Sequence, residues 1–260
     1  MDPVVKAAFS SWNWRPEIIL TLLILAGLFL TGWWRLRRRS CRTGWKALGA
    51  AWRPISYIAG LVVIALALLS PIEVLVQYLF FMHMIQHLLL IMIAPLLLLL
   101  PNPMPYLIWG LPDPLRVRVG GVVNTIINKD STLGRGLRKA TSPAIVWFIF
   151  VGTIIGWHDP SLYNAALENE FVHDLEHMTM FFAGMVYWWM ITGAGPRLHK
   201  NLGRVPKIAI SISAIPPNMA LGVVLAFSST VVYSYYNNMP RLWGISPLDD
   251  QRISGIIMWI

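Results

Sequence analysis

Long apolar stretches alternate with short polar and basic ones along almost the whole chain. They fall at 18–34, 55–69, 74–100, 140–157, 171–192 and 208–235, and a last one starts at 251 and reaches Ile260. A helix needs about 20 apolar residues to cross a hydrocarbon core. The pattern therefore predicts an all-α polytopic membrane helix bundle, a single transmembrane helical domain over 1–260. It has six full spans plus a partial or complete seventh. The last stretch is about ten residues, or about 15 Å of helix. The expectation there is a half-inserted segment or a span that continues past Ile260.

Composition supports this class and excludes others. Of 260 residues, 56% are hydrophobic and 13% charged, with a mean hydropathy of +0.59. Soluble domains carry about 25% charged residues, and disordered chains are poor in apolar ones. Cys41 is the sole cysteine, which excludes a disulfide scaffold.

The net charge of +9 has a topological origin. Arg35, Arg37, Arg38, Arg39, Arg42, Lys46 and Arg53 lie between spans one and two. Arg116, Arg118, Lys129, Arg135, Arg138 and Lys139 lie between spans three and four. Arg197, Lys200, Arg204 and Lys207 lie between spans five and six. The positive-inside rule makes these three loops cytoplasmic and puts the N-terminus outside. Only Asp113 and Asp130 among the acidic residues fall inside. This segregation removes the case for nucleic-acid binding, leaving the lipid bilayer as the partner of the basic loops. The arginine-rich flank after span one also argues against a cleavable signal peptide.

The longest inner connection, 101–139, contains apolar segments at 104–115 and 117–127, which read as short helices on the lipid surface. Ser70-Pro71-Ile72-Glu73 reads as the outer turn between spans two and three. Glu73, Gln77, Met84 and His87 then follow one side of the third helix, as a polar path or a buried seam. Pro216-Pro217 predicts a packing kink in span six. No P-loop, dinucleotide-binding glycine pattern or G-x-S-x-G elbow occurs.

The histidines carry the chemistry. His83 and His87 are four apart on span three, and His173 and His177 are four apart on span five. Residues i and i+4 share a helix face. Counted from the inner span ends, these four and His158 lie at about 20 to 28 Å, in the outer third of the core. Ionisable groups at that depth usually face a bundle interior or a wet cavity. A lone interfacial histidine is an ordinary structural residue, whereas two pairs at matching depth point to a metal or cofactor site. Imidazole suits copper, zinc, iron and nickel, and thioethers favour Cu(I). Met84 and Met178 are the thioether candidates. Asp159, Asp174, Glu176 and Asp250 are candidates to attract the cation or orient the imidazoles.

Two rival readings use the same residues. His173-Asp174-Leu175-Glu176-His177 fits H-x-x-E-H, an inverted zinc-protease motif with a glutamate base, but leaves His83 and His87 idle. Bis-histidine haem ligation uses one histidine from each of two helices, and does not explain the doubling.

The segment Phe81-Met-His-Met-Ile-Gln-His87, running on to Pro95, resembles the CtaG family of multi-span cytochrome c oxidase assembly factors associated with caa-type oxidases. The resemblance continues at Trp157-His-Asp-Pro160 with Tyr163, at Glu176-His177 with 184–188, and at Asp250-Gln251 with 255–259. It implies a multi-pass protein of the bacterial plasma membrane that serves maturation of a haem-copper oxidase through copper handling. His83, His87, His158, His177 and Asp250 match family motifs, and His173 matches less closely. The resulting expectation is an assembly factor rather than an enzyme. His83, His87, His173 and His177, joined by His158, bind copper on the outer side and pass it to an oxidase subunit or another copper chaperone. Zinc and haem stay open as alternatives to copper. Intramembrane proteolysis and copper transport stay open as alternative functions.

Overall fold

A computed structural model describes residues 10–43, 49–128, 131–196, 198–199 and 202–259, and these contain helices and no strand. Asp2, Lys6, Lys46, Lys129, Asp130, Arg197, Lys200 and Ile260 lie outside the described residues.

Helix α1 (Pro16–Thr43) begins at a proline, where a missing N–H costs nothing. Helix α2 (Trp52–Leu69) runs through Ser70 into the short α3 (Pro71–Leu75), and the two together form one apolar rod, Trp52–Leu75. The break falls at 76–79, so the third rod starts at Phe80 and not at Val74. Glu73 therefore belongs to the preceding rod. The predicted line from Glu73 to His87 along one helix does not form.

The third rod is α4 (Phe80–Leu88), a π-helical turn (Leu89–Ile93) and α5 (Ala94–Leu99). Pro95 lacks the N–H that would bond the carbonyl of Ile91 in an α-helix, and its ring crowds that carbonyl. The wider turn relieves the crowding. The Ile91 carbonyl instead lies so close to Gly184 that a Cβ there would sit 2.4 Å from it. Only glycine permits this approach.

The first segment of the 101–139 connection departs from the expected surface position, whereas 113–126 is largely exposed. Helix α6 (Met104–Gly110) packs against α1. Tyr106 is fully buried, with its ring 4.9 Å from that of Phe29. A Cβ on Gly32 would lie 1.8 Å from the Tyr106 carbonyl, and one on Gly110 would lie 2.0 Å from that of Leu28. Two backbones in contact through small residues is a membrane packing mode. Helices α7 (Asp113–Ile127) and α8 (Thr132–Ala140) complete this connection.

Helix α9 (Pro143–Trp157) is followed by α10 (Pro160–Glu168), which Asp159 caps, and α11 (Glu170–Thr192), which Asn169 caps. Helices α12 (Arg204–Ser213) and α13 (Ile215–Phe227) form one rod interrupted at Ala214, just before Pro216. It ends at Phe227, earlier than the predicted 235, because 228–246 turns back as bends and two 3₁₀ segments. Helix α14 (Pro247–Trp259) packs on α13 through Gly222 and Gly255.

Four of these rods are long and apolar enough to cross a membrane: Pro16–Arg39, Trp52–Leu75, Phe80–Leu99 and Arg204–Phe227. The pair Thr132–Ala140 and Pro143–Trp157, bent by 55°, makes a fifth if taken together. Helix α11 is long enough but carries Glu170, Asp174 and Glu176 in its first two turns. The side of those turns that carries His173, Glu176 and His177 is buried and faces α4, between two apolar clusters, while Glu170 is exposed. One cluster holds Phe80, Met84, Tyr163, Tyr233 and Tyr236, and the other Ile91, Phe150, Ile154, Met180 and Tyr187.

Candidate metal centre

The i, i+4 spacing on α4 and on α11 turns each histidine pair toward the other helix. The ring centroids of His83 and His87 are 4.2 Å apart, those of His173 and His177 4.1 Å, and those of His83 and His173 5.2 Å. Glu176, one residue before His177, stands among them. Its Oε2 is 3.5 Å from His83 Nε2 and its Oε1 is 3.4 Å from His87 Nε2. His83, His173, Glu176 and His177 each offer one donor atom, and the four lie within 4.8 Å of one another. His83 and Glu176 are fully buried, and His173, His177 and His87 are nearly so.

Unspent bonding capacity distinguishes this cluster from a structural network. Among the described residues, both carboxylate oxygens of Glu176 lack a hydrogen-bond partner. So do Nε2 of His83, His173 and His177, and both ring nitrogens of His87. Leaving a buried polar atom unsatisfied costs about 1–3 kcal/mol, and buried side-chain polar atoms are satisfied in the large majority of cases. A cation among His83, His173, Glu176 and His177 would take up one such atom from each of the four. In a tetrahedral site with bonds of about 2.0 Å, donors stand about 3.3 Å apart. A contraction of up to about 1.5 Å from the present 4.8 Å limit would bring the four to that spacing.

The surroundings orient the imidazoles. The Tyr163 hydroxyl is 2.5 Å from His83 Nδ1 and 3.4 Å from the Tyr236 hydroxyl, which donates to the Val76 carbonyl at 3.1 Å. A relay in which His83 Nδ1–H donates to Tyr163 and Tyr163 to Tyr236 leaves the lone pair on Nε2, facing Glu176. Outer partners of metal-binding histidines typically contribute 10–100-fold to affinity. Tyr163→Phe is accordingly expected to weaken metal binding by about 10–100-fold and to leave the helix content unchanged. Metal titration alongside circular dichroism checks it, and unaltered affinity counts against the relay. On the other side, Gln86 donates to Glu73, whose Oε1 is 3.8 Å from His173 Nδ1.

The remaining predicted residues are placed differently. His158 is outside the four-donor group. Its Nδ1 is 2.7 Å from the Ile154 carbonyl, its Nε2 is 3.3 Å from Met84 Sδ, and its ring centroid is 6.0 Å from that of His87. Met178 is 56% exposed on the outer face of α11, so it is no ligand to this cluster. Asp159 spends its Oδ1 on the N–H groups of Ser161 and Leu162. Asp174 accepts two hydrogen bonds of 2.6 Å from Arg15, which ties the segment before α1 to α11. That carboxylate, with Glu17, holds the Arg15 guanidinium firmly charged. Asp250 accepts from Phe80 N at 2.8 Å and Phe81 N at 2.9 Å, so it caps α4 rather than touching an imidazole.

Tyr163 was visible only as part of a motif, and Tyr236 gave no signal, because a tyrosine in an apolar chain looks like packing. Gln86, next to His87, had no assigned role. A cavity of about 610 Å³ joins the cluster to the surface, lined among others by Trp12, Glu73, Glu168, Glu170 and His173.

The family model for the cytochrome c oxidase caa3 assembly factor (Caa3_CtaG) matches residues 27–260. An uncharacterized protein of Mycobacterium leprae (strain TN) is 21% identical over 278 residues. One from Mycobacterium bovis (strain ATCC BAA-935 / AF2122/97) is 23% identical over 266 residues. Each alignment covers 99% of this chain and 38% of the relative, so the chain spans well under half the length of these curated relatives. No solved structure matches.

Proposed function

We propose, from the premise that this chain belongs to the Caa3_CtaG family of cytochrome c oxidase caa3 assembly factors, that it serves oxidase maturation by holding a copper ion as cargo. The ion is held among His83, His173, Glu176 and His177, with His87 beside them, and is passed to an oxidase subunit or another copper chaperone. The observation that carries this reading is the set of four buried side chains with donor atoms within 4.8 Å, whose imidazole Nε2 atoms and carboxylate oxygens have no hydrogen-bond partner among the described residues.

The arrangement suits transient holding. Imidazole and carboxylate exchange ligands more readily than a closed thiolate cage, and the acidic cavity at Glu73, Glu168 and Glu170 would draw a cation toward His173. In this reading α11 and the shorter α14 are embedded in the bilayer with the five apolar rods. The basic connections face the cytoplasm, and the N-terminus, the acidic cavity and the copper site face outward, where the receiving copper centre would lie.

A protease centred on Glu176 is disfavoured by that side chain's full burial among imidazoles, which leaves no room for a peptide. Haem ligation leaves Glu176 and the doubled histidines without a role.

The test is copper titration of the purified full chain against the double variant His83→Ala plus His87→Ala. Wild type is expected to take up copper and the variant to lose most of that uptake. Equal stoichiometry and affinity in both would overturn the assignment.

A further inference from the structure

The contact between His158 and Met84 has an unusual electronic character. His158 Nδ1 lies 2.7 Å from the Ile154 carbonyl, which can only accept, so Nδ1 carries the ring proton. In the neutral imidazole Nε2 then presents a lone pair, and it faces Met84 Sδ at 3.3 Å. A thioether has no hydrogen to give. Two lone-pair donors therefore face each other, both buried, with no proton between them.

We propose that His158 Nε2 and Met84 Sδ form a second metal position, separate from the four-donor group and selective for Cu(I). The separation of the two atoms suits an ion bridging them. Bonds of about 2.0 Å to nitrogen and 2.3 Å to sulfur across a 3.3 Å separation give an angle of about 100° at the ion. His87 is the neighbouring third donor. Its ring centroid is 6.0 Å from that of His158, and neither of its nitrogens has a hydrogen-bond partner.

Selectivity follows from charge and softness. Both ligands are neutral, and the cost of burying an ion rises with the square of its charge. A monovalent ion is tolerated here where a divalent one is not. Thioether sulfur favours Cu(I) over zinc. The four-donor group differs in containing Glu176, whose carboxylate offsets divalent charge.

A crevice of about 310 Å³ borders this pair, lined by Met84, His87, His158, Met180, Met219 and Met258, and reaches the bundle exterior at Ile215 and Trp259. The second position thus lies on a thioether-rich flank, away from the acidic cavity at His173. A Cu(I) ion that arrived on the acidic side would move to His87 and then to the soft pair before leaving, with no change of oxidation state. This direction of travel rests on the proposed copper-delivery reading. The existence of the position does not.

The experiment titrates the purified full chain in detergent with Cu(I) under anaerobic reducing conditions, against a chromophoric Cu(I) chelator, and in parallel with Zn(II). Met84→Leu conserves volume. It is expected to lose one Cu(I) equivalent and keep wild-type Zn(II) binding. His177→Ala is expected to lose Zn(II) and keep the Met84-dependent Cu(I). X-ray absorption at the copper edge should show a sulfur scatterer in wild type that Met84→Leu lacks. Wild-type Cu(I) stoichiometry and affinity in Met84→Leu, or no sulfur scatterer in wild type, overturns the soft position. Wild-type copper and Zn(II) binding in His177→Ala, with the Met84-dependent Cu(I) equivalent retained, supports the soft position and overturns the four-donor reading instead.

Discussion

Glu176→Leu is expected to change stability and metal binding in opposite directions. Without metal, both oxygens of Glu176 are buried and unpartnered. Their removal deletes two polar groups that cost about 1–3 kcal/mol each, and leucine fits the same helical position on α11. Metal-free Glu176→Leu should therefore unfold at a higher temperature than metal-free wild type. Metal affinity should fall by at least about 100-fold. The loss would cover both a proposed ligand and, among the described residues, the only carboxylate within 3.5 Å of His83 and His87. The difference between metal-loaded and metal-free melting temperatures, large in wild type, should nearly vanish in the variant, because stabilisation by a bound ion follows RT ln(1 + [L]/Kd). A purely structural Glu176 gives the opposite result, a less stable variant with an unchanged metal response. Functional groups held at the expense of stability are a familiar pattern, and this pair of measurements identifies it directly.

The second large effect concerns Asp250→Ala. The N-terminal N–H groups of α4 have no acceptor within their own helix. Asp250, 3% exposed on α14, supplies one for Phe80 and one for Phe81. An N-cap is worth about 0.5–2 kcal/mol. Here both amides would also be left without a partner, so a loss of about 2–4 kcal/mol is expected. The helix that frays is the one carrying His83 and His87. Hydrogen exchange at Phe80 and Phe81 should speed up, the melting temperature should fall, and metal affinity should drop although no ligand was touched. Asp250→Asn retains one acceptor oxygen and should fall between the two. A melting curve for Asp250→Ala that overlays wild type would remove the cap from the account of this fold.

Both predictions depend on contacts between distant parts of the chain, which explains what was legible beforehand. The apolar runs and the histidine spacing are local. A rod of apolar residues must be helical in a bilayer to satisfy its own backbone, and four-residue spacing on a helix fixes a shared face. The helical class and the two histidine pairs were therefore readable from residue order. The motifs around His83, Glu176 and Asp250 were also readable, and the family match over 27–260 agrees with them.

Other assignments depended on which atoms were already committed. Glu176, Asp159, Asp174 and Asp250 look equivalent as carboxylates near the outer histidines. Their partners separate them: Arg15 takes Asp174, helix termini take Asp159 and Asp250, and Glu176 has no hydrogen-bond partner among the described residues. Met84 and Met178 likewise sit beside histidines in sequence, but one meets His158 and the other faces outward from the bundle. The span boundaries shifted for a similar reason. Hydropathy records that 74–79 and 228–235 are apolar, not that the chain turns there.

Residue order alone thus determined that this is a helical membrane protein with paired imidazoles, because hydropathy and helical periodicity act within a single element. Tertiary structure alone decided which donors share a centre, which carboxylate stays free, and that Tyr163 and the Met84–His158 pair belong beside it. Those outcomes depend on the side chain that each group meets across helices, and no spacing along the chain encodes that.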